Sequence, residues 1–239
     1  MNEGPVSAIL GLRGAPGAGE AMVVERDVLL AELVGGRLHV AHVSTAAALD
    51  AVRRGKKRGV AVTAEVTPHH LFLNDEAVRA SDYDTNTKMN PPLRGEADRR
   101  AVLAGLLDGT IDCIATDHAP HTVDDKKVEY DQAAFGIVGL ETAVALCLDR
   151  LVAPGLVSLP HLVALLSTNP ARVLSLPGGT LAPGSPGDVT VLDLGRKRQV
   201  DPARFESRSR NTPFTGWTLK GWPAMTIVAG RVAWKDARP

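Results

Sequence analysis

Residues 111–121 read Ile-Asp-Cys-Ile-Ala-Thr-Asp-His-Ala-Pro-His. The apolar first part predicts a buried strand, and the proline predicts the end of that strand. Asp117 would then lie at the carboxyl end of a parallel strand, where barrel enzymes keep groups that bind a metal ion or accept a proton from water. The alternative is a strand end with a capping aspartate.

A second apolar segment ends in a histidine. Residues 38–45 read Leu-His-Val-Ala-His-Val-Ser-Thr, and they predict a strand with His42 near its end. A helix is expected to follow, with Ser44 or Thr45 as its N-cap. His42 alone could be a packed core histidine. Together, His42 and Asp117 supply the ligand types of a zinc-type hydrolytic site with room for water.

The composition narrows the class of partner. The chain has 239 residues, 44% of them hydrophobic, which is enough for one large or two small domains with a real core. Its formal net charge is zero and only 4% of its residues are aromatic. These values argue against nucleic-acid and membrane partners and favour a small-molecule ligand.

Cysteine usage and hydropathy bear on the compartment. Cys113 and Cys147 lie in apolar contexts without metal-type spacing, so we expect buried free thiols of a cytosolic protein. We find no signal peptide and no apolar run of membrane length. A cytoplasmic location is therefore expected.

Strands and helices are predicted to alternate through the first part of the chain, after a loop over residues 1–20. The predicted elements are helix 21–33, strand 38–43, helix 46–58, strand 60–66, helix 96–107 and the strand that precedes Asp117. Such alternation is typical of parallel βαβ units. Later segments predict helices at 139–152 and 159–167, then a separate small sheet with strands near 187–192 and 226–234.

Five short segments resemble the dihydroorotases of the amidohydrolase superfamily in their order and spacing. These segments are His42-Val43-Ser44, Thr67-Pro68-His69-His70, Asn90-Pro91-Pro92-Leu93-Arg94, Thr116-Asp117-His118-Ala119-Pro120-His121 and Ser209-Arg210-Asn211-Thr212-Pro213-Phe214. Hydantoinases and allantoinases share the strand-end His and Asp but usually differ near the asparagine segment and after the aspartate. The resemblance therefore favours dihydroorotases among the cyclic amidohydrolases.

The resemblance implies an α/β fold. Residues 1–176 would form the C-terminal part of a TIM-like (β/α)8 barrel of a metal-dependent hydrolase, with its last three strands, and residues 177–239 a small β-rich domain segment. The family's His-x-His strand, its bridging carboxylate or carboxylated lysine and a further histidine have no counterpart in this sequence. The chain thus resembles the part of a dihydroorotase that follows those ligands.

The resemblance also implies a reaction and a set of site residues. The reaction is the reversible, zinc-dependent cyclisation of N-carbamoyl-L-aspartate to dihydroorotate in pyrimidine biosynthesis. His42 corresponds to a zinc ligand, and Asp117 to both a zinc ligand and the general acid-base. The expected substrate contacts are Asn90, His121 and the Phe135-Gly136 loop. His69 and His70 are not expected to bind metal directly. We expect them to have a structural role or to support the residues that bind the metal.

Zinc, as one or two ions, is the cofactor that the resemblance implies for the complete site. Because one His and one Asp fall short of the usual three protein ligands, we expect the isolated chain to bind metal weakly and to catalyse poorly. A truncated gene model, a split enzyme or an inactive relative would each explain the incomplete set. The expected partners are the substrate and either a missing N-terminal portion or aspartate transcarbamoylase. The alternatives are a hydantoinase or allantoinase, or a non-catalytic dihydroorotase-like partner of that transferase.

Overall fold

The computed structural model describes residues 1–236 and has an α/β fold with two compact units. The first unit comprises residues 1–139 and 205–213. The second comprises residues 140–204 and, within the described part of the chain, residues 214–236.

The first unit is built on a three-stranded parallel sheet in the order β1-β2-β3. The strands are β1 (Arg37–Val40), β2 (Ala61–Val66) and β3 (Cys113–Ile114). β3 is short, and the Asp112 side chain continues the pairing beside it by accepting a hydrogen bond from Ala64 N at 2.8 Å. The parallel βαβ arrangement expected from the alternating pattern is confirmed.

The helices of this unit range from 4 to 18 residues. They are α1 (Pro5–Leu10), α2 (Gly17–Val34), α3 (Ala46–Lys57), α4 (Pro68–Phe72), α5 (Glu76–Ala80), α6 (Glu96–Leu107) and α7 (Val123–Lys126). α3 begins after Thr45, whose hydroxyl accepts a hydrogen bond from Ala48 N, so Thr45 rather than Ser44 is the N-cap.

The loop expected over residues 1–20 is wrong at two places. α1 begins with Pro5 at its first position and ends at Gly11 in the left-handed conformation, a combination that stabilises even a short helix. α2 begins at Gly17 rather than near residue 21, and the side chain of Glu20 in its first turn accepts hydrogen bonds from the backbone that leads into α3.

Two glycines allow close packing of the helices on the sheet. A Cβ atom at Gly55 of α3 would lie 2.7 Å from a methyl carbon of Val28 in α2 and 3.3 Å from one of Val62 in β2. A Cβ atom at Gly105 of α6 would lie 2.3 Å from a methyl carbon of the buried Leu49. The apolar core of the unit therefore lies between these helices and the Val62 face of the sheet.

The opposite face of the sheet is polar. His39 makes hydrogen bonds to Thr63 Oγ1 at 2.7 Å and to Glu65 Oε2 at 3.1 Å across the β1–β2 pair. These side chains alternate along their strands with the buried apolar ones.

The second unit combines helices with an antiparallel sheet. Its helices are α8 (Ala143–Cys147), α9 (Leu159–Val163) and α10 (Asn169–Val173), with π-helical turns at Leu148–Val152 and Ala164–Thr168. Strands β4 (Val189–Gln199), β5 (Thr218–Val228) and β6 (Arg231–Lys235) pair in the order β4-β5-β6. The separate small sheet expected from the sequence is confirmed. The expected boundary between a partial barrel and a β-rich segment at residues 176 and 177 stays a prediction.

Contacts between the π-helical turn at 148–152 and β5 hold this unit together. Gly221 has a φ of 94° and lies against Leu148, where a Cβ atom would approach the leucine side chain to 2.8 Å. Lys220 N donates a hydrogen bond to Asp149 Oδ1 at 3.0 Å.

The buried, unpaired thiols expected at Cys113 and Cys147 are confirmed.

Candidate active site

The backbone is unusual at the two positions that the sequence singled out first. His42 has a φ of 40° and Asp117 a φ of 47°. Non-glycine residues seldom adopt this left-handed conformation, which in this structure is also found at Asp82, Tyr83, Ser175 and Ala229. His42 follows β1 by two residues, and Asp117 follows β3 by three.

His42 and Asp117 belong to the same edge of the parallel sheet. β1 and β3 flank β2, so the axes of the two outer strands are roughly 10 Å apart at normal strand spacing. Because parallel strands end on one side, both residues follow the carboxyl edge, where ligands of α/β proteins usually bind. Asp117 is exposed and His42 is half-buried.

Two ring nitrogens, one from the turn after β1 and one from the helix after β2, are buried without a hydrogen-bond partner among the described residues. They are Nδ1 of His42 and Nε2 of His69. The rings of His69 and His70 lie in contact, with their centroids 4.5 Å apart. Burial lowers the pKa of His69 well below its usual range, with smaller contributions from His70 and His42, and burial lowers the pKa of His70 to about 4. These two rings are therefore neutral at pH 7.

A cavity of about 410 Å³ contains two of the expected substrate contacts. Asn90 and Phe135 both line it, together with Lys88, Arg13 and other residues of the first unit. A cavity of this size accommodates a small organic ligand. Its described lining does not include His42 or Asp117.

Lys88 fixes one wall of this cavity. Its ammonium group donates hydrogen bonds to the carbonyl oxygens of Asp131 at 2.9 Å and Ala133 at 2.7 Å, and it lies 4.5 Å from the centre of the Phe135 ring. Gly136 N donates to Lys88 O at 2.9 Å. Burial lowers the pKa of Lys88.

His121 and Gly136 adjoin the same wall. The Nε2 atom of His121 lies 2.7 Å from the carbonyl oxygen of Phe135. Gly136 has a φ of 106°, and a Cβ atom there would lie 2.5 Å from Ala119 Cβ, so only glycine fits this close approach. The structure thus brings together Asn90, His121 and the Phe135-Gly136 loop.

Asn211 supports this wall, although the sequence reasoning gave it no role. Its amide nitrogen donates to the carbonyl oxygens of Ala119 at 2.9 Å and Gly136 at 3.2 Å, and its amide oxygen accepts from His121 N at 3.3 Å. The only signal for it in the sequence is its place in the segment 209–214 that carries the family resemblance.

A buried ion pair joins the turn after β1 to the segment that follows Asn90. Arg94 Nη2 lies 3.3 Å from Glu20 Oε2, and Arg94 Nε donates to Ser44 Oγ at 3.0 Å. Glu20 in turn accepts hydrogen bonds from Ser44 N at 2.8 Å and Thr45 N at 3.1 Å. The His42 turn and the Asn90 segment are therefore linked through charged, hydrogen-bonded groups.

The described residues do not by themselves fit a complete metal site. Residues 1–236 contain no group of three His, Cys, Asp or Glu side chains arranged to hold a metal ion. The unpartnered Nδ1 of His42 and the exposed Asp117 carboxylate are suitable donor types, but catalytic zinc normally has three protein ligands.

Comparison with known proteins gives the family. A model of the amidohydrolase family matches residues 27–233. This chain belongs to the amidohydrolase family.

The curated amidohydrolases most similar in sequence include several dihydroorotases. The chain is 57% identical over 236 residues to the dihydroorotase of Pelotomaculum thermopropionicum and 54% identical to that of Syntrophus aciditrophicus. Each alignment covers 99% of this chain and 55% of the relative. The chain therefore spans about half the length of the curated relatives it matches.

Solved amidohydrolase structures share the fold. The L-hydantoinase (dihydropyrimidinase) from Arthrobacter aurescens superposes with a TM-score of 0.86 at 30% identity, covering 91% of this chain and 49% of that one. The dihydropyrimidinase from Brevibacillus agri gives a TM-score of 0.87 at 23% identity and so supports the fold alone. Within residues 1–236, no helix is both long and apolar enough to cross a membrane.

Proposed function

We propose that this chain is the C-terminal part of a dihydroorotase, in which β1, β2 and β3 are the last three strands of a (β/α)8 barrel. The observation that carries the proposal is the identity of 57% to a curated dihydroorotase over almost the whole chain. The position of His42 and Asp117 at one carboxyl sheet edge supports it, because barrel enzymes keep their chemistry there.

The proposed reaction opens or closes the ring amide of dihydroorotate. In the hydrolytic direction, a water oxygen forms a bond to the amide carbon while the carbon–nitrogen bond breaks. Asp117 takes a proton from the water and gives a proton to the departing nitrogen. The Asp117 side chain is exposed, so a bound substrate could contact its carboxylate.

The proposed substrate contacts are Asn90, His121 and the Phe135-Gly136 loop. The Asn90 amide and the His121 ring can hydrogen-bond polar groups of the ring or its carboxylate. A site of this kind discriminates strongly against analogues that lack those groups.

Zinc is the proposed cofactor of the complete enzyme, where it would lower the pKa of a bound water. His42 and Asp117 are the proposed ligands from this chain. Because they are fewer than the usual three, we assign no reaction step to the metal. The remaining ligands would come from a portion such as the 45% of the Pelotomaculum relative that this chain does not match.

A hydantoinase-type activity is the second candidate, because the solved neighbour at 30% identity is an L-hydantoinase. Dihydroorotate carries a carboxylate on the ring, whereas hydantoin and dihydrouracil do not. The ratio of kcat/KM for these rings therefore separates the two candidates.

The test uses the purified chain alone and the chain co-expressed with the unmatched part of the Pelotomaculum dihydroorotase. We expect the completed protein to interconvert dihydroorotate and carbamoyl-aspartate, and Asp117→Asn to lower kcat by roughly 10²–10⁴-fold. Asp124→Asn is the control, because it replaces an exposed aspartate on α7 by the same residue, asparagine, and it should leave kcat unchanged. A preference for hydantoin, or no ring opening by a folded and completed protein, would overturn the proposal. Copurification of such an inactive protein with aspartate transcarbamoylase would favour the non-catalytic alternative.

A further inference from the structure

The adjacent histidines His69 and His70 differ sharply in their hydrogen bonding. Both are buried, but Nε2 of His69 has no partner among the described residues. Both ring nitrogens of His70 are engaged, Nδ1 with Thr67 Oγ1 at 2.8 Å and Nε2 with the carbonyl oxygen of Pro91 at 3.0 Å. His70 thus joins the turn after β2 to the residue that follows Asn90.

The chemistry of these partners determines the tautomer of His70. A carbonyl oxygen only accepts, so Nε2 must carry the hydrogen and donate it to Pro91. Nδ1 then has a lone pair and accepts the hydroxyl hydrogen of Thr67. The Thr67 oxygen also accepts from His70 N at 3.3 Å. Each group in this chain of hydrogen bonds therefore has one consistent role.

The Pro91 carbonyl is well placed to control Asn90. Its residue is the immediate neighbour of Asn90, and proline has no N–H group that could anchor the segment instead. Lys88 on one side and Arg94 on the other are held by their own hydrogen bonds. His70 completes this support at the middle of the segment, directly beside Asn90, which is one of the residues that line the cavity.

We propose that His70 is a positioning residue that fixes the Asn90 side chain in the substrate cavity by donating a hydrogen bond to the Pro91 carbonyl. This inference rests on the proposed role of Asn90 in substrate binding. Small displacements of a positioning group are costly, since a shift of about 1 Å can lower a rate roughly 10²-fold.

Two substitutions separate the Pro91 bond from general packing. In His70→Gln the side-chain amide nitrogen can occupy the Nε2 position and still donate to Pro91. In His70→Asn the shorter amide reaches only the Nδ1 position and loses that bond. His161→Asn, an exposed histidine in α9, is the matched control.

The first readout needs no activity. In ¹H–¹⁵N spectra of the purified chain, the side-chain amide signal of Asn90 is assigned by its loss in Asn90→Asp. We expect His70→Asn to shift or broaden this signal, and His70→Gln and His161→Asn to preserve it. An unchanged Asn90 signal in folded His70→Asn, or equal effects of the Gln and Asn variants, would overturn the inference.

The second readout is kinetic and uses the completed protein. We expect His70→Asn to raise KM for dihydroorotate at least 10-fold and to change kcat less, with His70→Gln within about 3-fold of wild type. If the wild type opens no dihydroorotate ring, the proposed function fails while the Asn90 spectrum still decides the role of His70. Should His70→Asn not fold, Thr67→Val removes the hydroxyl that fixes the tautomer. Thr67→Ser then serves as its rescue, and an Asn90 signal that is the same in both would contradict the proposal.

Discussion

Arg94→Met should be among the most destabilising substitutions in the first unit. The Arg94 side chain is only 4% exposed, and that of its ion-pair partner Glu20 is 13% exposed. The guanidinium also donates to Ser44 Oγ at 3.0 Å and to the Ala15 carbonyl oxygen at 2.8 Å. Methionine fills much of the same volume but leaves the Glu20 carboxylate buried without its countercharge.

The expected loss follows from that burial. Removing one partner of a buried ion pair costs about 3–5 kcal/mol. For a chain of this length, each kcal/mol lowers the melting temperature by about 2–4 °C, so we expect a decrease of about 6–20 °C. Arg79→Met, at an ion pair with Glu76 whose side chains are 56% and 47% exposed, is the control and should cost at most about 1 kcal/mol.

A double-mutant cycle tests whether the charge itself is responsible. In Glu20→Gln the amide oxygen can still accept from the backbone of Ser44 and Thr45. We expect the Arg94→Met, Glu20→Gln double variant to lose about 0.5–3 kcal/mol less than the sum of the single variants.

The assay should report on the first unit. All three tryptophans, at positions 217, 222 and 234, lie in the second unit, so hydrogen exchange of peptides containing Ser44 or Arg94 is the better probe. Arg94→Met within about 1 kcal/mol of Arg79→Met, or strict additivity in the cycle, would refute the reasoning.

Two further predictions concern a buried amine and two glycines. Burial lowers the pKa of Lys126 to about 8 from 10.5, so the unfolded chain binds the extra proton between these pH values. The free energy of unfolding of the wild type should therefore rise with pH in this window relative to that of Lys126→Met. If urea unfolding gives the same difference between the two proteins at pH 8 and at pH 10.5, the prediction is wrong. Gly105→Ala should cost about 1–3 kcal/mol, because the new methyl group overlaps the buried Leu49. In Gly19→Ala, on α2, the added methyl group would meet no other part of the protein within 4 Å, so this change should instead stabilise the fold by about 0.4–1 kcal/mol in the same urea assay. If both alanine variants change the free energy of unfolding in the same direction, the packing described is wrong.

Elements with strong local signals were predictable. The helix expected at 96–107 is α6 at Glu96–Leu107, and the helix expected at 46–58 is α3 at Ala46–Lys57. Charged residues in the first turn of α6 and the Thr45 cap of α3 act within a few residues of the chain, where sequence patterns are informative.

Features that depend on distant contacts were not predictable. The Glu20–Arg94 ion pair joins residues 74 positions apart, and Asn211 bonds to residues 75 and 92 positions away. Likewise, the sequence presents His69 and His70 as an equivalent pair. Their hydrogen bonds distinguish them, because His70 bonds to the Thr67 hydroxyl and to the carbonyl of Pro91, which lies 21 positions further along the chain. The roles of His42 and Asp117 stay predictions, and their left-handed backbone, which the sequence did not indicate, is shared by four other non-glycine residues.

The left-handed backbone at His42 and Asp117 has a consequence for protein engineering. Glycine adopts that conformation without the steric cost that a Cβ atom brings, and asparagine tolerates it better than most residues. A redesign that maximises stability from backbone geometry would therefore replace these two side chains early. Any such redesign of this chain should hold both positions fixed, because the substitutions that relax the main chain are the ones that would remove the proposed chemistry.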